Sequence, residues 1–192
     1  MPRATTRDRL ISTMSTSLRT SGYGGTSMKT LLGTAGISSG SMYHSFPGGK
    51  EELAEAAVRE VGLDAAGRIR AVFDGAPSVA DGLARIFDAL AADLEGHGFT
   101  MGCPIGVPAT EAVGVSDAIR AACREVFAAW AQAYEDALVA EGWARDEAAS
   151  LGVAIVVLYE GAVTVARTLM DTAPVRQAKA QVVAMVSAGG GG

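Results

Sequence analysis

The apolar residues of this 192-residue chain recur at helical spacing almost from end to end, and strand-like alternation is scarce. Leu10, Ile11, Met14 and Leu18 fall at i, i+1, i+4 and i+8, on one face of a helix. Val79, Leu83, Ile86, Phe87, Leu90 and Leu94 repeat the pattern, as do Ile119, Cys123, Val126, Phe127, Trp130, Tyr134 and Leu138. A strand would send alternate members of such a set to opposite faces, so the sets fit helices and not sheets. The chain is expected to be all-α, and a hydrophobic fraction of 49% gives it ample material for a core.

Hydroxyl caps and glycine or proline stops divide the pattern into elements. Thr5 or Thr6 opens a helix that ends at Gly22, and Thr26 or Ser27 opens a short one that Gly36 stops. Ser38 caps a third, to about Ser45, before Pro47-Gly48-Gly49. A fourth begins near Lys50 and reaches Phe73; Gly62 and Gly67, each costing about 1 kcal/mol against Ala, predict a kink or break in it. Longer helices follow Pro77-Ser78, Ser116 and Asp146, with a short one inside the Gly/Pro-rich stretch Gly102 to Val113 and a last one after Pro174. Leu151 to Leu158 is apolar nearly all round, which predicts a helix packed on two sides. The apolar run to Tyr159 is shorter than the roughly 20 residues of a membrane span. The polar N-terminus is no signal peptide, so the expectation is a cytoplasmic protein with no membrane partner. Gly189 to Gly192 predict a tail without fixed structure.

The net charge of -5 argues against a nucleic-acid partner until it is split along the chain. Residues 1–50 hold Arg3, Arg7, Arg9, Arg19, Lys29 and Lys50 against Asp8 alone, an excess of +5, and the remainder carries −10. A basic N-terminal module and an acidic remainder have different partners. The stretch from Gly22 to Leu53 says what the basic module is. Two short helices joined by a tight glycine turn are what a helix-turn-helix requires, and Gly36 supplies the turn. Leu31, Ala35, Ile37 and Met42 are then the packing residues between them, and Ser39, Gly40, Ser41, Tyr43 and His44 lie on the outer side of the second helix. Small and hydroxyl residues there permit close approach to a major groove and bonds to base edges or phosphates.

The run Gly22-Tyr23, Thr26-Ser27, Ala35-Gly36-Ile37-Ser38-Ser39-Gly40-Ser41-Met42-Tyr43-His44-Ser45-Phe46 and Lys50-Glu51-Glu52-Leu53 resembles the DNA-binding domain of the tetracycline-repressor (TetR) family of bacterial regulators. The match covers about residues 6–55; Leu32, where the family usually has Ala, departs from it and predicts slightly shifted packing of the two short helices. The resemblance implies that Thr26, Ser27 and Lys29 open the first short helix near phosphates. It implies that Ser39, Gly40 and Ser41 lie at the groove, that Tyr43 and His44 reach the backbone, and that Lys50 clamps a phosphate. Gly102-Cys103-Pro104-Ile105 with Glu111, and Phe46-Pro47-Gly48-Gly49-Lys50, are similar to the branch holding the lincomycin-resistance and flavonoid-responsive repressors. That branch implies a drug-like or plant-phenolic aromatic effector.

The expected organisation is a helix-turn-helix domain over residues 1–50, the third of three helices in it reading DNA, and a larger ligand-binding and dimerisation domain over 51–192. Phe87, Phe99, Met101, Cys103, Trp130, Tyr134, Tyr159 and Glu160 are the candidate ligand-binding residues, though the same aromatic and Met set also suits a plain core. Glu111 reads as a surface carboxylate or a polar handle in a pocket. The helices at about 146–170 and 174–187 are expected to pair with their symmetry mates in a homodimer on near-palindromic operator DNA. The expected function is a repressor released by a small apolar or aromatic molecule, with an effector-independent DNA-binding protein as the alternative. An all-α enzyme is disfavoured, because no nucleophile, base and orienting group stand at recognisable spacing. With two histidines and two cysteines, no metal and no cofactor are expected. The pattern Gly-x-x-x-x-Gly-Lys-Ser/Thr of a phosphate loop fails around Lys50, since Glu51 follows it and His44 stands at the first glycine position.

Overall fold

A computed structural model describes residues 4–189, and every regular element in that span is a helix. In chain order these are α1 (Thr6–Gly25), α2 (Met28–Ala35), α3 (Ser39–Ser45), α4 (Gly49–Asp74), α5 (Val79–Gly96), α6 (Gly106–Ala112), α7 (Asp117–Ala140), α8 (Arg145–Leu169) and α9 (Ala173–Gly189). The expected glycine tail falls at 190–192 outside the described residues, apart from Gly189.

The helix starts are made by the hydroxyl caps read in the sequence. Thr5 and Asp8 form a reciprocal capping box on α1: Asp8 N–H donates to Thr5 Oγ1 at 3.1 Å and Thr5 N–H to Asp8 Oδ2 at 2.9 Å. Ser27, Ser38, Ser78 and Ser116 accept from the third residue on, at Thr30, Ser41, Asp81 and Ile119. Gly36 ends α2 in the left-handed region, φ 62 and ψ 40, with Ile37 N–H returning to Leu32 O at 3.1 Å.

Contacts divide the chain into two compact units. One runs to Gly62 and takes in Cys103–Val126; the other holds Leu63–Gly102 and the chain from Phe127 onward. This division differs from the sequence division at residue 50, because the segment carrying α6 and the start of α7 belongs with the helix-turn-helix. In the first unit α1 packs on α2, α3 and α6 around Leu10, Met14, Leu18, Leu31, Met42, Phe46 and Leu53, all buried. In the second, α9 packs on α5 and α8 around Leu83, Phe87, Leu94, Ile155, Val163 and Val182.

Two expectations change. The fourth helix is a single element from Gly49 to Asp74, so neither Gly62 nor Gly67 ends it. Gly62 is there for space: a Cβ at that position would stand 2.4 Å from Cγ1 of buried Val126. The second concerns α8, which is not covered on two sides. Val153, Val157, Val165 and Leu169 are exposed on a helix whose length, 25 residues, is the one expected. Its most apolar 18 residues have mean hydropathy 1.8, long and apolar enough to cross a membrane by length and composition, and one third of them are buried. One face of α8 packs on α5, α7 and α9, and the face carrying Val153, Val157, Val165 and Leu169 is left exposed.

These packing facts set opposite signs for two glycine substitutions. A Cβ at Gly152 in α8 would meet the Ala131 carbonyl oxygen at 2.5 Å, backbone that cannot give way, whereas nothing lies within 4 Å of Gly67. Gly152→Ala should destabilise by about 1–3 kcal/mol, and Gly67→Ala should stabilise by up to about 1 kcal/mol through helix propensity. Thermal unfolding should show Tm falling for the first and rising by about 2–4 °C for the second. The Asp8 carboxylate is held below its ordinary value chiefly by the Thr5 N–H, so its contribution is present above the unfolded value near 3.8 and is lost as pH falls through the folded one. Asp8→Asn should remove that acid sensitivity from the unfolding profile.

Candidate nucleic-acid interface

The face that α3 offers outward is set by the face it buries. Met42 and Phe46 are 1% and 2% exposed and fix the helix against α1. With 3.6 residues per turn, Ser39, Gly40, Ser41, Tyr43 and His44 then point away, and all five are exposed. Tyr43 is 56% exposed, an unusual state for a large aromatic that nothing in its own unit requires. Ser41 Oγ lies 3.0 Å from Ser38 Oγ, so the first turn of α3 presents a small hydroxyl ridge. Gly40, Ser41, His44 and Ser45 also border, with Thr6 at the start of α1, a concavity of about 320 Å³.

The other expected contacts are placed less uniformly. Ser27 and Lys29 are exposed at the start of α2. Thr26 is placed otherwise than Ser27 and Lys29: it is 5% exposed, and its hydroxyl donates to the Gly22 carbonyl at 2.6 Å. It closes the α1–α2 turn and offers no free hydroxyl outward. Lys50 is half-buried, its Nζ 4.4 Å from the centre of the Tyr23 ring, a cation–π contact. Burial lowers its pKa, and the nearby Glu111 carboxylate opposes that shift. Leu32, the departure from the family pattern, is half-buried beside fully buried Leu31.

The basic excess of this region is partly spent on the fold. Arg7 forms a two-bonded pair with Glu60 of α4, one arm at 2.9 Å, and lies over the Phe46 ring at 5.5 Å. Arg9 donates to the Ala35 carbonyl and so ties α1 to the turn before α3. Glu111 of α6 is the residue that sequence reasoning placed least well. Its Oε2 accepts from the backbone N–H of Tyr23 and of Gly24, the latter at 3.1 Å. The one available signal was Gly22, which takes φ 69 and ψ −177, a conformation open in practice to glycine alone.

Of the ligand candidates, Phe87, Trp130 and Tyr159 come together in the second unit. Phe87 and Tyr159 meet edge-on at 5.9 Å between ring centres, and Trp130 meets Tyr159 at 6.3 Å. Glu160 follows Tyr159 on α8 and is half-buried. Tyr134 is buried and pairs with Phe73, at 6.0 Å. Phe99 and Met101 are half-buried, with the Phe99 carbonyl accepting from Arg167 Nε at 3.2 Å. Cys103 lies in the first unit, buried, its Sγ 3.4 Å from the Ile105 N–H that donates to it. The second unit also carries a cleft of about 450 Å³, lined by residues that include Arg70, Phe73, Asp136 and Glu141, and none of the eight candidates borders it.

If exposed Lys29 and half-buried Lys50 act as phosphate contacts, each should show in the salt dependence. Lys29→Ala and Lys50→Ala should each lower the slope of log K against log salt by about 0.9 per site, as titrations of duplex binding would read. Ser39→Ala and Ser41→Ala should leave that slope alone and change base preference.

Residues 16–57 match the family model for bacterial regulatory proteins of the tetR family, and residues 79–181 match that for the C-terminal domain of LmrA/YxaF-like transcriptional regulators. The HTH-type transcriptional regulator YxaF of Bacillus subtilis is 28% identical over 96% of each chain. LmrA of the same organism is 27% identical over 88% of this chain and 89% of its own. An HTH-type regulator of Mycobacterium tuberculosis is 30% identical over 88% and 87%. In fold, a TetR transcriptional regulator from Legionella pneumophila superposes with a TM-score of 0.83, 20% identity and coverage of 96% and 99%. Reduced NemR of E. coli gives 0.82, 22%, 92% and 94%. A helix-turn-helix whose outer face is built of small hydroxyl residues, joined to an LmrA/YxaF-like helical domain, makes this chain a member of the TetR family of transcriptional regulators and not an enzyme.

Proposed function

We propose that the chain is a homodimeric repressor that releases a near-palindromic operator when a small apolar or aromatic molecule binds it. The observation that carries the reading is the outer face of α3: five exposed residues, Tyr43 among them, on a helix locked from behind by Met42 and Phe46. A rigid helix with small groove-side residues is suited to base readout, and Ser27 and Lys29 at the start of α2 are suited to positioning on phosphates. Residues 1–50 would do the DNA work and 51–192 the ligand and dimer work.

The exposed side of α8 supports the dimer. Val153, Val157, Val165 and Leu169 recur at helical spacing along it, with open space at Gly161, and Met185 is exposed on α9. An apolar stripe of that length on a soluble regulator is best buried against its symmetry mate. A two-fold dimer would set two α3 helices roughly 34 Å apart, on successive major grooves. The Phe87, Tyr159 and Trp130 cluster with Glu160 beside it is the proposed place for an aromatic effector. Release follows if the effector favours the DNA-incompetent state, at about 1.4 kcal/mol for each tenfold loss of DNA affinity.

Selection from a random duplex library should return a near-palindrome, and a panel of aromatic compounds should contain members that lower affinity for it. A selected site that no compound affects would favour the effector-independent alternative; no sequence preference would sink both. Val157→Glu should convert a species of twice 19.6 kDa into one of 19.6 kDa on sedimentation, with operator binding lost. A monomeric wild type at micromolar concentration would overturn the dimer.

A further inference from the structure

Gly22, Tyr23 and Gly24 form an outward bend at the end of α1, and the bend holds an anion. Two consecutive backbone N–H groups, those of Tyr23 and Gly24, converge on one oxygen of the Glu111 carboxylate. Successive N–H groups turned to one side by a left-handed residue are a ready site for a negative group. The fit is tight. A Cβ on Gly22 would stand 2.0 Å from Glu111 Oε1 and 2.6 Å from its carboxyl carbon. Both atoms belong to the carboxylate whose Oε2 the two amides hold.

What Glu111 holds is the entry to the helix-turn-helix. Two residues after Gly24, Thr26 returns its hydroxyl to Gly22 and closes the same bend, and Ser27 caps α2. The Tyr23 ring carries the Lys50 ammonium at 4.4 Å. A second bond runs in parallel: Ser116, the cap of α7, donates its hydroxyl to Glu51 Oε1 at 2.5 Å, one residue past Lys50. All of these groups lie in the same compact unit.

We propose that Glu111 is a positioning residue for operator recognition: its carboxylate, seated on the Tyr23 and Gly24 amides, fixes the α1–α2 bend and with it the register of α2 and α3. Glu111 touches no DNA in this account. It acts through the bend. The inference rests on the DNA-binding reading above.

The test compares wild type, Glu111→Ala and Glu111→Gln on two duplexes, the sequence selected by the wild-type protein and an unrelated one. Gln keeps one carbonyl oxygen for the two amides while removing the charge and replacing the other oxygen by an NH2 group. E111A should bind the selected duplex about tenfold or more weakly and the unrelated one within about threefold of wild type, because non-specific binding follows charge and not register. E111Q, which keeps an acceptor for the amides but loses the charge, should lose less than E111A on the selected duplex and bind the unrelated one no more weakly than wild type. An E111A protein that matches wild type on the selected duplex, or that loses equally on both while folded, overturns the proposal; so does an E111Q protein as impaired as E111A. Hydrogen exchange in the wild type guards against an E111A chain that does not fold. Slow exchange at the Tyr23 and Gly24 amides is expected, and exchange at the rate of exposed amides overturns the assignment. Failure of the wild type to select any sequence would instead count against the DNA-binding reading.

Discussion

Leu10, Met14 and Leu18 are fully buried, and α2, α3 and α6 all pack against the helix that carries them. Each such side chain is worth about 1.5–3 kcal/mol of burial. The exposed ion pairs of the same unit, Arg7 with Glu60 and Arg59 with Glu125, are of a kind worth about 0–1 kcal/mol. The apolar stripe therefore decides where α1 stands, and the polar contacts trim what stands on it. α3 is only seven residues long and would not hold its shape alone. Its outward face exists because Met42 and Phe46 are trapped against α1.

Charge has a double role in this region. The basic surplus of residues 1–50 reads as an electrostatic footprint for an anionic partner, yet Arg7 and Arg9 are engaged with Glu60 and the Ala35 carbonyl. Lys50 is engaged with Tyr23. These groups fix the relation between α1, the turn before α3 and the start of α4, so part of the surplus serves geometry. The long-range field of the module still counts every one of them, because a paired arginine keeps its charge while its partner adds an opposite one nearby. Counting bases along a sequence therefore overstates the number that reach a phosphate.

Much of the fold is legible in the sequence. Thr5, Ser27, Ser38, Ser78 and Ser116 announced their helices by local chemistry, since a hydroxyl cap acts over three residues. The exposed set on α3 was legible too, because helical period and one buried Met fix the rest of a short helix. The burial of Thr26 was not legible, because its hydroxyl bonds a carbonyl four residues back, across a bend that only Gly22 permits. Gly62 was read as a weak point because propensity is local, whereas the neighbour that requires a glycine there, Val126, is 64 positions away. Glu111 was ambiguous for the same reason: its amide partners lie 88 and 87 residues earlier.

The sequence by itself determined the all-helical class, the caps and stops, and the helix-turn-helix with its outward residues. Each of these follows from periodicity and from interactions within one or two turns. Only the tertiary structure decided that α6 belongs with the DNA-binding helices, that Lys50 lies on Tyr23, and that α8 keeps a long valine face uncovered. Those outcomes depend on which distant surfaces are complementary in shape and charge. Periodicity states that a face is apolar; it does not state which neighbour buries it.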